Sequence, residues 1–246
     1  ENNTELQFYI VLQWLAERYQ VPLKCANTVL LLFSTQQSIG KSSIGQLIGS
    51  LLDPDYVQPV NGINNLIGTY QDIYKHSGIL DVSDLSQMAP HKIEELLRSR
   101  VRPPAGVIKI NIKSKEMLDI TPRYSFIISD NRQGFITLNK GRTSRYHLIE
   151  GMKNAAPNSQ KYILKEQILS SMISIINTQS PNLKNQTTLD FLEGLSSFFN
   201  DVKIDENVTN NSTGYETDIM NDWLVDETQR LTDIIKSSYN ELCNYR

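Results

Sequence analysis

No apolar run in this chain of 246 residues approaches the roughly 20 needed to span a bilayer, and the N-terminus has neither a basic start nor a signal-like apolar core. The expectation is a soluble cytoplasmic protein that makes no membrane contact. Cysteine is scarce: Cys25 and Cys243 stand 218 positions apart and match no metal-ligand spacing. A reducing compartment explains them more simply than a disulfide framework does. Net charge is only −3, which argues against a uniformly basic nucleic-acid coat protein. No internal repeat is visible. The first residue is Glu1 rather than Met, as expected of a piece cut from a longer polypeptide.

What is present starts at residue 30, where Leu-Leu-Leu-Phe-Ser-Thr-Gln-Gln-Ser-Ile-Gly-Lys-Ser-Ser runs from an apolar strand into a phosphate-binding loop and a helix. The pattern G-x-x-x-x-G-K-[ST] works because turn residues aim backbone N–H groups at phosphates, the Lys reaches the β and γ phosphates, and the hydroxyl holds Mg²⁺. Gly40, Lys41 and Ser42 are in register, with Thr35 where the first Gly belongs. The nucleotide-binding candidates are Gln36, Gln37, Ser38, Ile39, Gly40, Lys41, Ser42 and Ser43. A Ser/Gln/Gly-rich turn in an ordinary α/β domain is the alternative.

Charge is unevenly spread. Between His91 and Arg145 twelve basic residues stand against five acids, and from Asn185 onward four stand against twelve. A polyanion would meet the middle of the chain and avoid its end, although solvated helix faces carry such runs too.

Residues 5–20 read as an amphipathic helix. Strands are predicted at 28–33, 78–82 and 124–129, each a nearly continuous apolar run, with helices between them at 43–52 and 90–101. This alternation predicts an α/β fold with a mostly parallel sheet flanked by helices. Another short strand is expected at 146–149. After Gly151 the strands are expected to stop, leaving helices near 161–177, 188–200 and 216–245. The division read from these patterns is an N-terminal helical segment, 1–26, a nucleotide-binding core, 27–150, and an acidic helical region, 151–246.

Three further elements carry chemistry. Asp81 and Asp84 lie three apart at the end of the 78–82 strand. They are candidates for holding the Mg²⁺ shell and for orienting the attacking water, with Asp84 as a turn cap the alternative. Asn131, at the end of the 124–129 strand, can hold a water or a γ-phosphate through neutral hydrogen bonds, unless it only closes a turn. Arg145, in an Arg-rich turn before Tyr146, is a candidate arginine finger supplied by a neighbouring subunit, with a surface arginine as the alternative.

In their order these pieces resemble the superfamily 3 helicases, most closely the branch called virulence-associated protein E. The residues that carry the resemblance are the phosphate loop, Asp81-Val-Ser-Asp84, the 90–100 helix, Arg100-Val-Arg102-Pro103-Pro104, Ser129-Asp130-Asn131 and Thr143-Ser144-Arg145-Tyr146. They run in unbroken order from Leu30 to Ile149. Departures are Thr35, Asp where this branch usually has Glu at both acidic positions, and Ser144 in place of the first Arg of the pair. The resemblance implies an AAA+-type ATPase that uses ATP and Mg²⁺, the metal at Ser42 and Asp81. It also implies self-association into a ring, a hexamer, that moves on single-stranded or forked DNA in the replication of a phage, plasmid or genomic island. A fused or separate primase or origin-binding domain would accompany it. Catalysis would rest on Lys41, Asp81, Asp84, Asn131 and the next subunit's Arg145, with Arg142 as the less favoured substitute for the last. A hairpin at about 105–123 would offer Lys109, Lys113 and Lys115 to the DNA backbone, unless those lysines only protect an exposed strand edge. A nucleotide-binding switch that barely hydrolyses and a small-molecule kinase are the other two classes.

Overall fold

The computed structural model describes residues 2–37, 40–62, 64–68, 71–76, 78–85, 87–103, 105–113, 117–139, 143–151, 186–210 and 224–225. Its centre is a five-stranded sheet of β1 (Val29–Phe33), β2 (Val57–Asn61), β3 (Ile79–Ser83), β6 (Ser125–Asp130) and β8 (Tyr146–Glu150) in the order β2-β3-β6-β1-β8. Every pairing in it is parallel. The expected mostly parallel α/β sheet is therefore present, and the strands read at 28–33, 78–82, 124–129 and 146–149 are all in it.

Continuous apolar runs arise because both faces are covered. Along β1, Val29, Leu31 and Phe33 point into one core cluster and Leu30 and Leu32 into the other, the period of two expected of a pleated strand. On the first face lie α5 (Pro90–Arg100), through Ile93 and Leu97, and the antiparallel hairpin of β4 (Ile108–Ile110) and β5 (Leu118–Ile120). The second face packs against α1 (Asn2–Gln20), α2 (Lys41–Leu51) and α6 (Gln186–Asp201), through Trp14, Ile48 and Phe199. Short helices α3 (Asn64–Ile67), α4 (Ile73–His76) and α7 (Glu206–Asn210) complete the described helices.

The N-terminal helix is more than an amphipathic cover. Its Glu17 and Arg18 are buried and paired, and Arg18 donates to Ser125 Oγ on β6 at 3.1 Å. Thr209 Oγ1 of α7 donates to Glu17 Oε1 at 3.1 Å, and the Asp205 N–H donates to Gln13 Oε1 at 2.7 Å. Buried polar groups stay soluble in a core only when bonded in this way. They fasten the 202–210 segment to α1.

Two expectations are corrected. β2 was not foreseen: Pro59 and a largely exposed face disguise it, and it is tolerated because an edge strand pairs on one side only, here with β3. Strands do not stop after Gly151. Leu224–Val225, inside the expected 216–245 helix, forms β9 and pairs in parallel with β7 (Leu138–Asn139). That partner lies far away in sequence, so local periodicity carries no trace of it. The helix expected at 188–200 is α6, and the one at 161–177 lies outside the described residues.

Candidate active site

In a parallel sheet the loops after the strands open on one edge, where ligands collect. The loop after β1 is shaped for an anion. The Gln36 N–H donates to the buried Ser34 hydroxyl at 3.0 Å, and Gly40 takes φ 87°, a left-handed conformation that favours glycine. Lys41 then opens α2 with no side-chain N-cap and no acid in the first turn. The partial positive charge of the helix end is thus not neutralised locally. Ser38 and Ile39 lie outside the described residues.

A cleft of about 590 Å³ opens beside this turn, lined by Gln37, Gly40, Lys41 and Ser42. Asn61, Ser83 and Asp84 join it from the ends of β2 and β3, and Ser129, Asp130, Asn131 and Arg132 from the end of β6. Its volume is within the range of small-molecule sites, roughly 300–1,000 Å³. Lys41 Nζ donates to Asn131 Oδ1 at 2.5 Å across 90 residues of sequence, and to Gln36 O at 3.4 Å. Desolvation lowers the Lys41 pKa while Asp130 pulls it back up. Three sequence candidates, Lys41, Asp84 and Asn131, therefore meet in one cleft, with Ser42 beside them. Ser43 is turned inward and buried.

Asp81 is elsewhere. It points from β3 toward α2, with Oδ2 only 2.7 Å from where a Cβ on Gly45 would stand, and it does not line the cleft. Burial to 9% exposure raises its pKa to about 7 from 3.8. The folded state then holds this proton more tightly than the unfolded chain does. Ionisation costs nothing below about pH 4, costs progressively more as pH rises to 7, and costs a constant amount above. Asp81→Asn is expected to gain stability over the parent as pH rises from 5 to 8, by about 2.5 kcal/mol. Urea unfolding at both pH values checks this, and a difference that does not change with pH refutes it.

Arg145 lies at the opposite edge. It closes a 3₁₀ turn before β8, donates from Nη1 to Arg98 O at 3.0 Å, and precedes Tyr146, which pairs with Val29 at the start of β1. The five residues of β8 separate it from the cleft edge by about 16 Å. It does not reach the cleft of its own chain. In the hairpin, Ile108 and Ile110 are buried while Lys109 faces out, opposite Asp119 across the strand pair. Lys113 is exposed; Lys115 lies outside the described residues.

The cleft suits Mg²⁺ held together with phosphates. Among the described residues no group of three or more His, Cys, Asp or Glu could hold a metal ion by itself. The donors present are hard oxygens, Ser42, Asp84 and the buried Ser129 Oγ, which has no hydrogen-bond partner. A cation that keeps waters and substrate oxygens as ligands needs no more.

Although Ser83, Ser129 and Asp130 stand inside the motifs quoted above, no role was read from the sequence for Asn61, Ser83, Ser129, Asp130 or Arg132. The last two flank Asn131 and were findable from its candidacy; Asn61 was not, because its strand was unseen.

No protein-family model matches the sequence, and no curated relative aligns with it. Among solved structures the apo C-terminal region of NrS-1 superposes with a TM-score of 0.61 at 15% identity, covering 87% of this chain and 47% of that one. An A-form structure of the same region gives 0.59 at 17% identity, over 87% and 46%. This chain shares their fold and spans about half their length. A JCV helicase aligns at a TM-score of 0.37 with 9% identity, over 81% of this chain and 62% of that one, too low to carry an argument.

Proposed function

We propose that this chain is the motor part of an ATP-driven nucleic-acid helicase or translocase of superfamily 3 type, similar to virulence-associated protein E. The observation that carries the reading is the convergence of Lys41 after β1, Asn131 after β6 and Asp84 after β3 on one cleft. Fold likeness to the NrS-1 region adds support at the level of architecture.

The loop at 36–43 and the first turn of α2 hold the phosphates, and Lys41 leaves Asn131 to neutralise the β and γ groups. Asn131 then contacts the γ-phosphate. Asp84, the β3 carboxylate that opens on the cleft, polarises the attacking water. Ser42 would hold Mg²⁺, which would supply charge neutralisation at the phosphates, while Asp81, buried against α2, stays outside the cleft. Because Arg145 stands at the far edge of its own sheet, it serves the site of the next subunit, which makes a ring the working unit, a hexamer in this reading. Lys109 and Lys113 of the hairpin segment, together with Lys115, meet the backbone of single-stranded DNA without reading bases.

The test is steady-state ATP hydrolysis with and without single-stranded DNA. DNA is expected to stimulate turnover, and Lys113→Ala to weaken the stimulation and lower the slope of log affinity against log salt by about 1. Arg145→Ala and Lys41→Ala chains, each inactive alone, are expected to recover activity when mixed, since one supplies the site and the other the finger. Turnover indifferent to DNA, with no recovery on mixing, rejects this reading in favour of a nucleotide switch or a small-molecule kinase.

A further inference from the structure

The cleft contains a guanidinium that the phosphate-loop pattern does not account for. β6 ends on Asp130, and two residues on, Arg132 folds back over it. The Arg132 backbone N–H donates to Asp130 Oδ1 at 2.8 Å, Nε donates to the same oxygen at 3.1 Å, and Nη2 donates to Oδ2 at 2.9 Å. The pair is asymmetric. Asp130 has a side chain 6% exposed, whereas that of Arg132 is 37% exposed and lines the cleft. An ordinary surface ion pair has two exposed, mobile partners and contributes little. Here a buried carboxylate takes the Nε and Nη2 edge and so fixes the plane of an arginine whose guanidinium lines the cavity. Lys41 is bonded to the intervening residue, Asn131, so two cations flank the end of one strand.

We propose that Arg132, aimed by Asp130, binds the terminal phosphate of a nucleoside triphosphate in the cleft of its own chain, and so makes the site prefer triphosphate over diphosphate. This rests on the nucleotide-binding reading above. Position supports the terminal phosphate: the phosphate loop and α2 rise from the end of β1, and Arg132 stands at the end of β6, about 5 Å along the sheet. The inner phosphates lie on the loop, and the far end of the chain reaches β6. Asp130 also prevents Lys41 and Arg132 from repelling each other before the nucleotide arrives. Arg132 thus differs in origin from Arg145, which a neighbouring copy supplies.

Calorimetric titration of the 246-residue chain with Mg²⁺ and either ADP or a non-hydrolysable ATP analogue tests it. Arg132→Ala alone leaves a buried carboxylate without its partner and threatens folding, so the variants are Arg132→Lys and the double change Asp130→Asn with Arg132→Gln. The parent is expected to bind the triphosphate more tightly. The double variant is expected to lose roughly 10- to 100-fold in triphosphate affinity, with ADP affinity held within about 3-fold, and Arg132→Lys to fall between. Equal losses for both nucleotides, or a preference left intact, overturn the proposal. A double variant that keeps the preference, while Lys41→Ala loses both ligands, overturns the role of Arg132 alone. A parent that binds neither nucleotide overturns the nucleotide reading and this proposal together.

Discussion

Lys41→Ala is expected to abolish measurable nucleotide binding and to lower hydrolysis by at least about 100-fold, the usual loss when one aimed electrostatic donor leaves a phosphoryl-transfer site. Its effect on folding is expected to be slight. Among the described residues the ammonium donates to the Asn131 side chain and the Gln36 carbonyl, and desolvation already disfavours its charge. Two measurements on one preparation check this: ligand titration and thermal unfolding. A variant that unfolds like the parent yet binds no nucleotide places Lys41 at the phosphates. One that binds and turns over normally removes the cleft from consideration.

The largest expected effect on stability comes from Gly78→Ala. Gly78 leads into β3, and a methyl group there would overlap the ring of Tyr56. Neither side can yield easily. The Gly78 N–H donates to Tyr56 O at 3.0 Å and the Gly78 carbonyl accepts from the Ser125 N–H at 2.9 Å. The Tyr56 hydroxyl donates to Pro22 O at 2.6 Å, and its ring packs on the second core cluster. Overpacking of this kind costs about 3 kcal/mol or more where relaxation is blocked. Tyr56→Leu alone also destabilises, but added to Gly78→Ala it removes the overlapping ring. The double variant is therefore expected to be more stable than the glycine variant alone, a non-additivity that denaturant unfolding of all four chains reads directly. Strict additivity would mean that the two residues do not collide. Because β3 carries Ser83 and Asp84 to the cleft, the destabilised variant is also expected to lose nucleotide binding as its sheet edge loosens.

Much of the architecture was legible along the chain. β1, β3, β6 and β8 were visible because strands buried on both faces must be apolar at nearly every position. Lys41, Asp84 and Asn131, which line one cleft, stood out as candidates because residues after parallel strands face the edge where ligands collect. α1 was visible as a helix, but not its interior. Glu17 and Arg18 are buried in a network closed by Ser125 and Thr209, partners 100 or more positions away.

The sequence by itself determined where the central strands, their helices and the glycine turn before α2 form, because hydrophobic periodicity, glycine and turn chemistry act over a few neighbouring residues. Tertiary structure alone decided the rest. Pairing with β3 made a strand of a segment containing Pro59. Depth beneath α2 took Asp81 out of the cleft and left Asp84 in it. Parallel topology put Arg145 at the edge away from its own site, and burial of Asp130 turned Arg132 into an aimed cation. Each of these depends on which groups lose water and which distant atoms replace it, and local sequence carries neither.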